Sequence, residues 1–524
     1  MTATLATPLP CIIQGGMGIG ISNWRLARAV SLRGQLGVVS GTCIDTLLVR
    51  RLQDGDVGGH VRRAMERFPL PDVSAEVLKR YFLPDGRPEG TPYKLLSMWK
   101  QTVSRAREQL TVLASFVEVH LAREGHSGLV GLNLLTKVQL PNLATLYGAM
   151  LAGVDYVLMG AGIPKEIPGV LDAFAEHRPA AMRFDVEGLA RGETRELRFD
   201  PTVHWDGAPP AALSRPRFLP IVASNSLATM LARKSNGRVD GFVVEGPTAG
   251  GHNAPPRGKL ELNERGEPVY GERDEVDLEE LRRLGLPFWL AGGTGSPARL
   301  RAALDAGAAG IQVGTLFAYA EESGLDPAVR RRVLGMVRRG TVEVHTDPLA
   351  SPTGFPFKVV QLDGTNSEEA QYRRRERVCD LGYLRTAYQR PDGRIDYRCA
   401  AEPVDAYVAK GGAIEETEGR KCLCNALMAD AGHAQERAGG PERPLVTSGD
   451  DLRLLGGLTW SGAGYSADDV VDFLLGLADV AAGRPAPAAA AAAATSPAPA
   501  PARATAADSC PLPAGTRSPA GSSR

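Results

Sequence analysis

Net charge is missing from this sequence: 60 Lys and Arg residues offset 60 Asp and Glu residues. That balance removes a global field that would draw the chain to nucleic acid or to an anionic membrane surface. Short Arg clusters, Arg330 to Arg332 and Arg373 to Arg375, sit among acidic residues and read as solvated helix faces rather than a phosphate-backbone footprint. Long apolar runs are also lacking, apart from a poly-alanine stretch in a Pro-rich tail, so no spanning helix is expected. The opening MTATLATPLPCIIQ has neither the basic start nor the apolar middle of a signal peptide. Cysteine is scarce, with seven in 524 residues, which does not suggest a secreted disulfide framework. Together these absences predict a cytoplasmic chain without nucleic-acid or membrane partners. Its length exceeds the size at which one core usually stops growing, so one large domain and an additional region are expected.

What the sequence does have, from Cys11 to about Phe317, is a repeat of short apolar runs and helix-like periodicity. The runs are 11–14, 36–40, 129–135, 155–160, 218–224, 241–246, 287–293 and 310–315, and they suit parallel strands buried on both faces. Helix-like segments lie between them. The clearest, SPARLRAALDAG, opens with Ser296 as N-cap and Pro297 at the first helical position and closes at Gly307. Eight strand–helix units in about 300 residues match a (β/α)₈ TIM barrel carrying insertions, near residues 54–100 and 180–217. A doubly wound open sheet shares this local pattern. Residues 180–217 alternate like a hairpin. Residues 321–480 read as a mainly helical accessory region, and 481–524 as a disordered Pro/Ala-rich tail with nothing to bury.

Glycines gather at the predicted strand ends, where sites in this barrel class lie. Gly292 and Gly293 follow the seventh strand, and Gln312, Gly314 and Thr315 close the eighth. Glycine lets backbone N–H groups approach an anion, so this pair of turns reads as a phosphate grip. The first strand leads into Gln14, Gly15, Gly16, Met17 and Gly18, whose spacing is not that of a dinucleotide turn. After the sixth strand come Glu245, Gly250, Gly251 and then His252, on a loop stiffened by Pro247, Pro255 and Pro256. A histidine titrates near neutral pH and can move a proton, which makes His252 the leading catalytic candidate among eight histidines. A zinc role is weaker, because no HxxxH or CxxC partner lies nearby.

These pieces, IIQGGMG, TAGGH, LAGGTGSPARLRAALDAGAAG and IQVGT, resemble the nitronate monooxygenase family over residues 11–318. The resemblance implies a TIM barrel binding FMN non-covalently at its strand ends. It would place Gln14, Gly16, Met17 and Gly18 along the flavin, with Asn133 hydrogen-bonded to it and Gly250 and Gly251 close to the ring. Gly292, Gly293, Gln312, Gly314 and Thr315 would hold the phosphate, and His252 falls on the family's active-site histidine. Glu245 stands where relatives commonly have Gln, and a carboxylate there would repel an anionic reduced flavin. Residues 318–480 have no counterpart in the resemblance.

The implied activity is oxidation of an alkyl nitronate with O2 to a carbonyl compound and nitrite. The alternative is an NAD(P)H-dependent FMN enoyl reductase acting on an acyl thioester, and a flavin-free phosphate-binding barrel is a third reading. Either way the partner is a small-molecule substrate with O2 or NAD(P)H as co-substrate, and a homo-oligomer is compatible. IMP-dehydrogenase-like chemistry fits less well, since no cysteine lies on a late strand-end loop; Cys43 after the second strand reads as a small buried hydrophobe. Cys379, Cys399, Cys422 and Cys424 could form a zinc or iron–sulfur site, but their spacing is loose and reduced buried thiols are the plain reading, so no metal ligand is assigned.

Overall fold

The computed structural model describes residues 8–207, 209–458 and 464–477. Eight parallel strands form its centre: β1 (Ile12–Gln14), β2 (Gly37–Ser40), β3 (Val130–Leu135), β4 (Tyr156–Gly160), β5 (Arg217–Val222), β6 (Phe242–Glu245), β7 (Phe288–Ala291) and β8 (Gly310–Val313). Each falls within, or one residue from, an apolar run expected to be a strand. Neighbours follow chain order around the ring, and β1 pairs with β8 in register Ile12 to Ile311. The ring closes through an Ile13–Leu36 bridge, with Leu36 N–H donating to Ile12 O at 3.1 Å. An open doubly wound sheet has no such closure. The chain is a (β/α)₈ barrel.

Alternation along the strands sorts the core into two layers. Ile13, Val38, Leu158, Leu219, Val243 and Trp289 fill the barrel interior. Their neighbours Ile12, Val39, Val157, Phe218, Phe242 and Phe288 face the surrounding helices. Trp289 is fully buried, and its indole N–H is satisfied by Pro10 O at 2.7 Å, which plugs the N-terminal end of the barrel. The expected helix Pro297–Asp305 begins as its sequence dictates, with Ser296 Oγ accepting from Arg299 N–H. Asn23 and Ser224 cap the helices Trp24–Leu32 and Asn225–Lys234 in the same manner.

The first insertion contains two helices, His60–Met65 and Pro71–Tyr81. The second holds the expected hairpin, Ala180–Phe184 against Arg195–Phe199. Beyond the barrel, the C-terminal region carries helices such as Pro327–Arg339 and Leu423–Asp430 together with short hairpins. It does not stand apart. Thr386–Gln389 pairs in parallel with Val186–Glu187 of the second insertion.

A buried polar knot ties the same region to the first insertion. Asp45 meets Arg107 at 2.7 Å, accepts from Trp99 Nε1 at 3.1 Å and Thr111 Oγ1 at 2.9 Å, and is bonded by the Tyr383 hydroxyl. Burial works against the Asp45 charge, but Arg107 and these donors outweigh it and hold the carboxyl below its usual range. The expected tail, 481–524, lies outside the described residues. Among the described residues, no helix is long and apolar enough to cross a membrane.

Candidate active site

The strand C-termini open into a cavity of about 210 Å³. A single water needs roughly 10–15 Å³ on the same measure, so this space accepts an organic ligand. Gly16, Met17, Gly18, Asn133, Glu245, Gly250, Gly251 and His252 line it, as do Gly292, Gly293, Gln312, Gly314 and Thr315. These residues come from five separate strand ends, and the structure brings them onto one concave wall.

Gln14 is the exception. It is fully buried and does not line the cavity. Its side-chain amide donates to Ser22 Oγ at 2.8 Å and its carbonyl accepts from Val38 N–H at 2.9 Å, so both ends serve the β1–β2 junction. Ser22 in turn accepts from Met17 N–H at 2.9 Å and shapes the glycine turn. Gln14 supports the wall rather than forming it.

Two glycines are dictated by close approach. A Cβ on Gly16 would lie 2.1 Å from Asn133 Cβ, and Asn133 Nδ2 donates to Gly16 O at 3.4 Å. Gly292 has φ +86°, and a Cβ there would meet Ala249 N and Gly246 O at 3.0 Å. Among the described residues the Gly292 and Gly293 N–H groups make no hydrogen bond to protein, so they are free to donate to an anion. Gln312 Oε1 is likewise buried without a partner. Asp451 narrows the grip. Its carboxylate accepts from Gly295 N–H at 2.9 Å, and burial pushes its pKa up despite that bond. Thr315 Oγ1 already accepts from Gly449 N–H at 2.9 Å.

His252 is held from outside the barrel. Its Nε2 lies 2.7 Å from Ser351 Oγ, which is 2.8 Å from Thr353 Oγ1. The ring packs edge-on against Phe357 at 4.9 Å, and its backbone bridges Phe357. Gly251 is fastened on both sides, accepting from Lys358 N–H at 3.0 Å and donating to Thr447 Oγ1 at 2.9 Å. Enclosure by protein penalises the imidazolium and lowers its pKa to about 4, so the ring is neutral at pH 7. Burial acts on Glu245 in the opposite sense, raising its carboxyl to about 8. The negative charge expected at Glu245 is therefore disfavoured, because no cation or donor repays its desolvation.

The sequence reading missed the whole C-terminal side of the site. Phe357, Leu427, Asp430, Thr447, Gly449 and Asp451 line the cavity, and Ser351 orients His252. Asp430 is buried, its Oδ1 is unpartnered, and burial followed by nearby Asp326 lifts its pKa well above the carboxylate range. No spacing or motif marks these residues; only the apolar run around Phe357 signals that the segment is buried.

Fold and cavity define a (β/α)₈ barrel with its ligand site at the strand C-termini. The family model for nitronate monooxygenase matches residues 209–345. A nitronate monooxygenase of Pseudomonas aeruginosa is 30% identical over 194 residues, 37% of this chain and 49% of the relative. A Mycobacterium tuberculosis protein, (3aS,4S,5R,7aS)-5-hydroxy-7a-methyl-1-oxo-octahydro-1H-indene-4-carboxyl-CoA dehydrogenase, is 31% identical over 136 residues, 26% of this chain and 34% of that protein. The chain thus spans about half, or less, of the length of the curated relatives it matches. A nitroalkane oxidase structure from Streptomyces ansochromogenes is 14% identical, with a TM-score of 0.43 over 91% of this chain and 97% of that one. The family match and the curated nitronate monooxygenase bear out the resemblance to the nitronate monooxygenase family.

Proposed function

We propose that the protein is an FMN-dependent oxidoreductase that oxidises alkyl nitronates with O2 to carbonyl compounds and nitrite. The observation that carries the reading is one glycine-walled cavity faced by a neutral imidazole, His252, and a phosphate-sized set of free amides at Gly292 and Gly293. The residues fit FMN: Met17 and Asn133 line the cavity where a flat ring could lie, with Asn133 offering polar atoms to its edge, and the free glycine amides suit its phosphate. When bound there, FMN would supply the redox chemistry. The protein's part is binding, orientation and proton handling.

A pKa of about 4 makes His252 a proton acceptor at pH 7. When Nε2 donates to Ser351 Oγ, Nδ1 keeps its lone pair for a proton alpha to a nitro group, or for a hydrogen bond from a bound substrate. Phe357 and the C-terminal strip wall off that side from bulk water. A second reading, NAD(P)H-dependent reduction of the C=C bond of an acyl thioester, is favoured by the place of Glu245 on the cavity wall, where desolvation raises its carboxyl to about 8 and suits it to donate a proton. Anaerobic mixing separates them. Bleaching of the flavin by a nitronate and not by NADPH is expected; rapid bleaching by NADPH alone selects the reductase. Protein that purifies colourless and takes up no added FMN would sink both.

A further inference from the structure

Burying a carboxylate is costly unless a cation or several donors compensate it. Six acids are buried among the described residues. Five of them, Asp45, Asp56, Glu118, Glu402 and Glu442, each meet an Arg or Lys at 3.1 Å or less. The sixth, Asp430, is 3% exposed, and among the described residues nothing donates to its Oδ1. It also ends the helix Leu423–Asp430, where the carbonyl end of a helix disfavours negative charge. Burial first, and Asp326 second, favour its neutral form.

Position sets Asp430 apart from the other five as well. It lines the barrel cavity, and they do not. Backbone bonds fix it there. Asp326 N–H donates to Asp430 O at 2.7 Å, and Gly324 N–H donates to Ile21 O at 2.9 Å, so the helix end is joined to the turn after β1. A Cβ on Gly20 would lie 3.6 Å from Ala431 Cβ, which is ordinary contact between the two segments. Gly18, Ile21 and Leu325, from the same join, line the cavity beside Asp430.

Two atoms of the cavity wall are buried without a partner among the described residues, Gln312 Oε1 and Asp430 Oδ1, and both are acceptor oxygens. An acceptor held out of water in this way lowers stability until something donates to it. In this cavity the donor has to arrive with a ligand. An alkyl nitronate carries no O–H or N–H, and its negative charge is poorly matched to an acid beside Asp326. FMN carries hydroxyls on its ribityl chain and an N–H in its ring.

Given the FMN-dependent reading above, on which this assignment rests, we propose that Asp430 is a cofactor-binding residue supplied by the C-terminal region. Its carboxyl accepts a hydrogen bond from a ribityl hydroxyl or the ring N–H of FMN. The barrel mouth alone then makes an incomplete cofactor site, because one of its polar contacts comes from a helix more than 100 residues beyond β8.

The test measures the FMN affinity of flavin-free protein by quenching of flavin fluorescence, together with the Tm of the flavin-free chain. Asp430→Leu, similar in shape but apolar, should raise the Kd for FMN about 10-fold. The same change should raise the flavin-free Tm, since an uncompensated buried acid is removed. Asp430→Asn keeps an uncharged acceptor and donor in place and should stay within about 3-fold of wild type. Lumiflavin, which lacks the ribityl chain and phosphate, locates the donor. If Asp430→Leu weakens lumiflavin equally, the ring N–H is the partner; if lumiflavin binding is unaffected, the ribityl chain is. Unchanged FMN affinity in folded Asp430→Leu overturns the proposal, as does an equal loss in both variants with a lowered Tm. Wild-type protein that takes up no FMN is a different failure, which removes the FMN reading and Asp430's role with it. Should Asp430→Leu not fold, the infrared difference between FMN-loaded and flavin-free wild type decides. A carboxyl C=O band that shifts on FMN binding and vanishes in Asp430→Asn supports the assignment, and no such band overturns it.

Discussion

The barrel and the C-terminal region reach their structures by different routes. In the barrel, each strand is buried on both faces and is written as an apolar run of its own, from Ile12–Gln14 through Gly310–Val313. Neighbouring strands are also neighbours in sequence, so local pattern and global topology agree. The C-terminal region is built from short elements whose partners are distant: Tyr383 bonds Asp45, Thr447 bonds Gly251, and Ser351 bonds His252. One half supplies a scaffold and glycine turns. The other supplies one side of the cavity wall and holds the histidine in place. A site of this kind is shared chemistry between a locally encoded frame and a non-locally assembled cover.

Removing the histidine should have the largest effect. His252→Ala is expected to lower kcat by about 10²–10⁴-fold, the usual worth of a positioned acid or base, while FMN remains bound by absorbance. Unchanged turnover would shift the chemistry to the C-terminal side. Cutting the polar knot between the regions comes next. Asp45→Ala strands the buried Arg107 charge and should cost about 3–5 kcal/mol in urea unfolding, well beyond a surface change. A loss under about 1 kcal/mol would show that the two regions are not coupled there.

Gly250 probes the seam directly. A Cβ there would sit 2.7 Å from Gly449 N and 2.9 Å from Ser448 C, both backbone atoms. Gly250→Ala should therefore destabilise by about 1–3 kcal/mol and weaken FMN binding, since the cover must move off the turn. Retained FMN affinity would mean the cover is dispensable for binding.

The pH dependence separates these two groups of the cavity wall. An unfolded histidine takes its proton near 6.5, but His252 resists until about 4. The unfolded chain then binds more protons, so stability should fall as pH drops from about 6.5 toward 4, and His252→Gln should flatten that limb. Glu245, raised to about 8 from 4.5, works in reverse: stability falls as pH rises between those values, and Glu245→Gln should flatten that limb. The smallest effect belongs to Ser351→Ala, about 1 kcal/mol in transition-state stabilisation, read as an altered pH profile of kcat/KM rather than lost folding.

Most of the scaffold was legible because its signals are local. Ser296 caps its helix within three residues, and the glycine turns follow their strands directly. Thirteen of the fourteen site residues read from sequence line the cavity. Gln14 misled because a polar residue at a strand end looks the same whether it faces a ligand or fastens β1 to β2. The charge at Glu245 misled because a residue's letter carries no desolvation penalty; its protonation depends on what surrounds it.

While the closure of the ring was settled by the Ile13–Leu36 bridge, the sequence by itself determined the eight strands, the glycine-lightened strand ends and the address of His252. These follow from apolar periodicity and backbone sterics, which act over a few residues. Only the tertiary structure decided that residues 351–451 return to the barrel mouth, that desolvation pushes His252 down and Glu245 up in pKa, and that four scattered cysteines face one space. Those outcomes depend on burial and on contacts hundreds of residues apart in the chain, as between Asp45 and Tyr383, and neither is written in any short run of sequence.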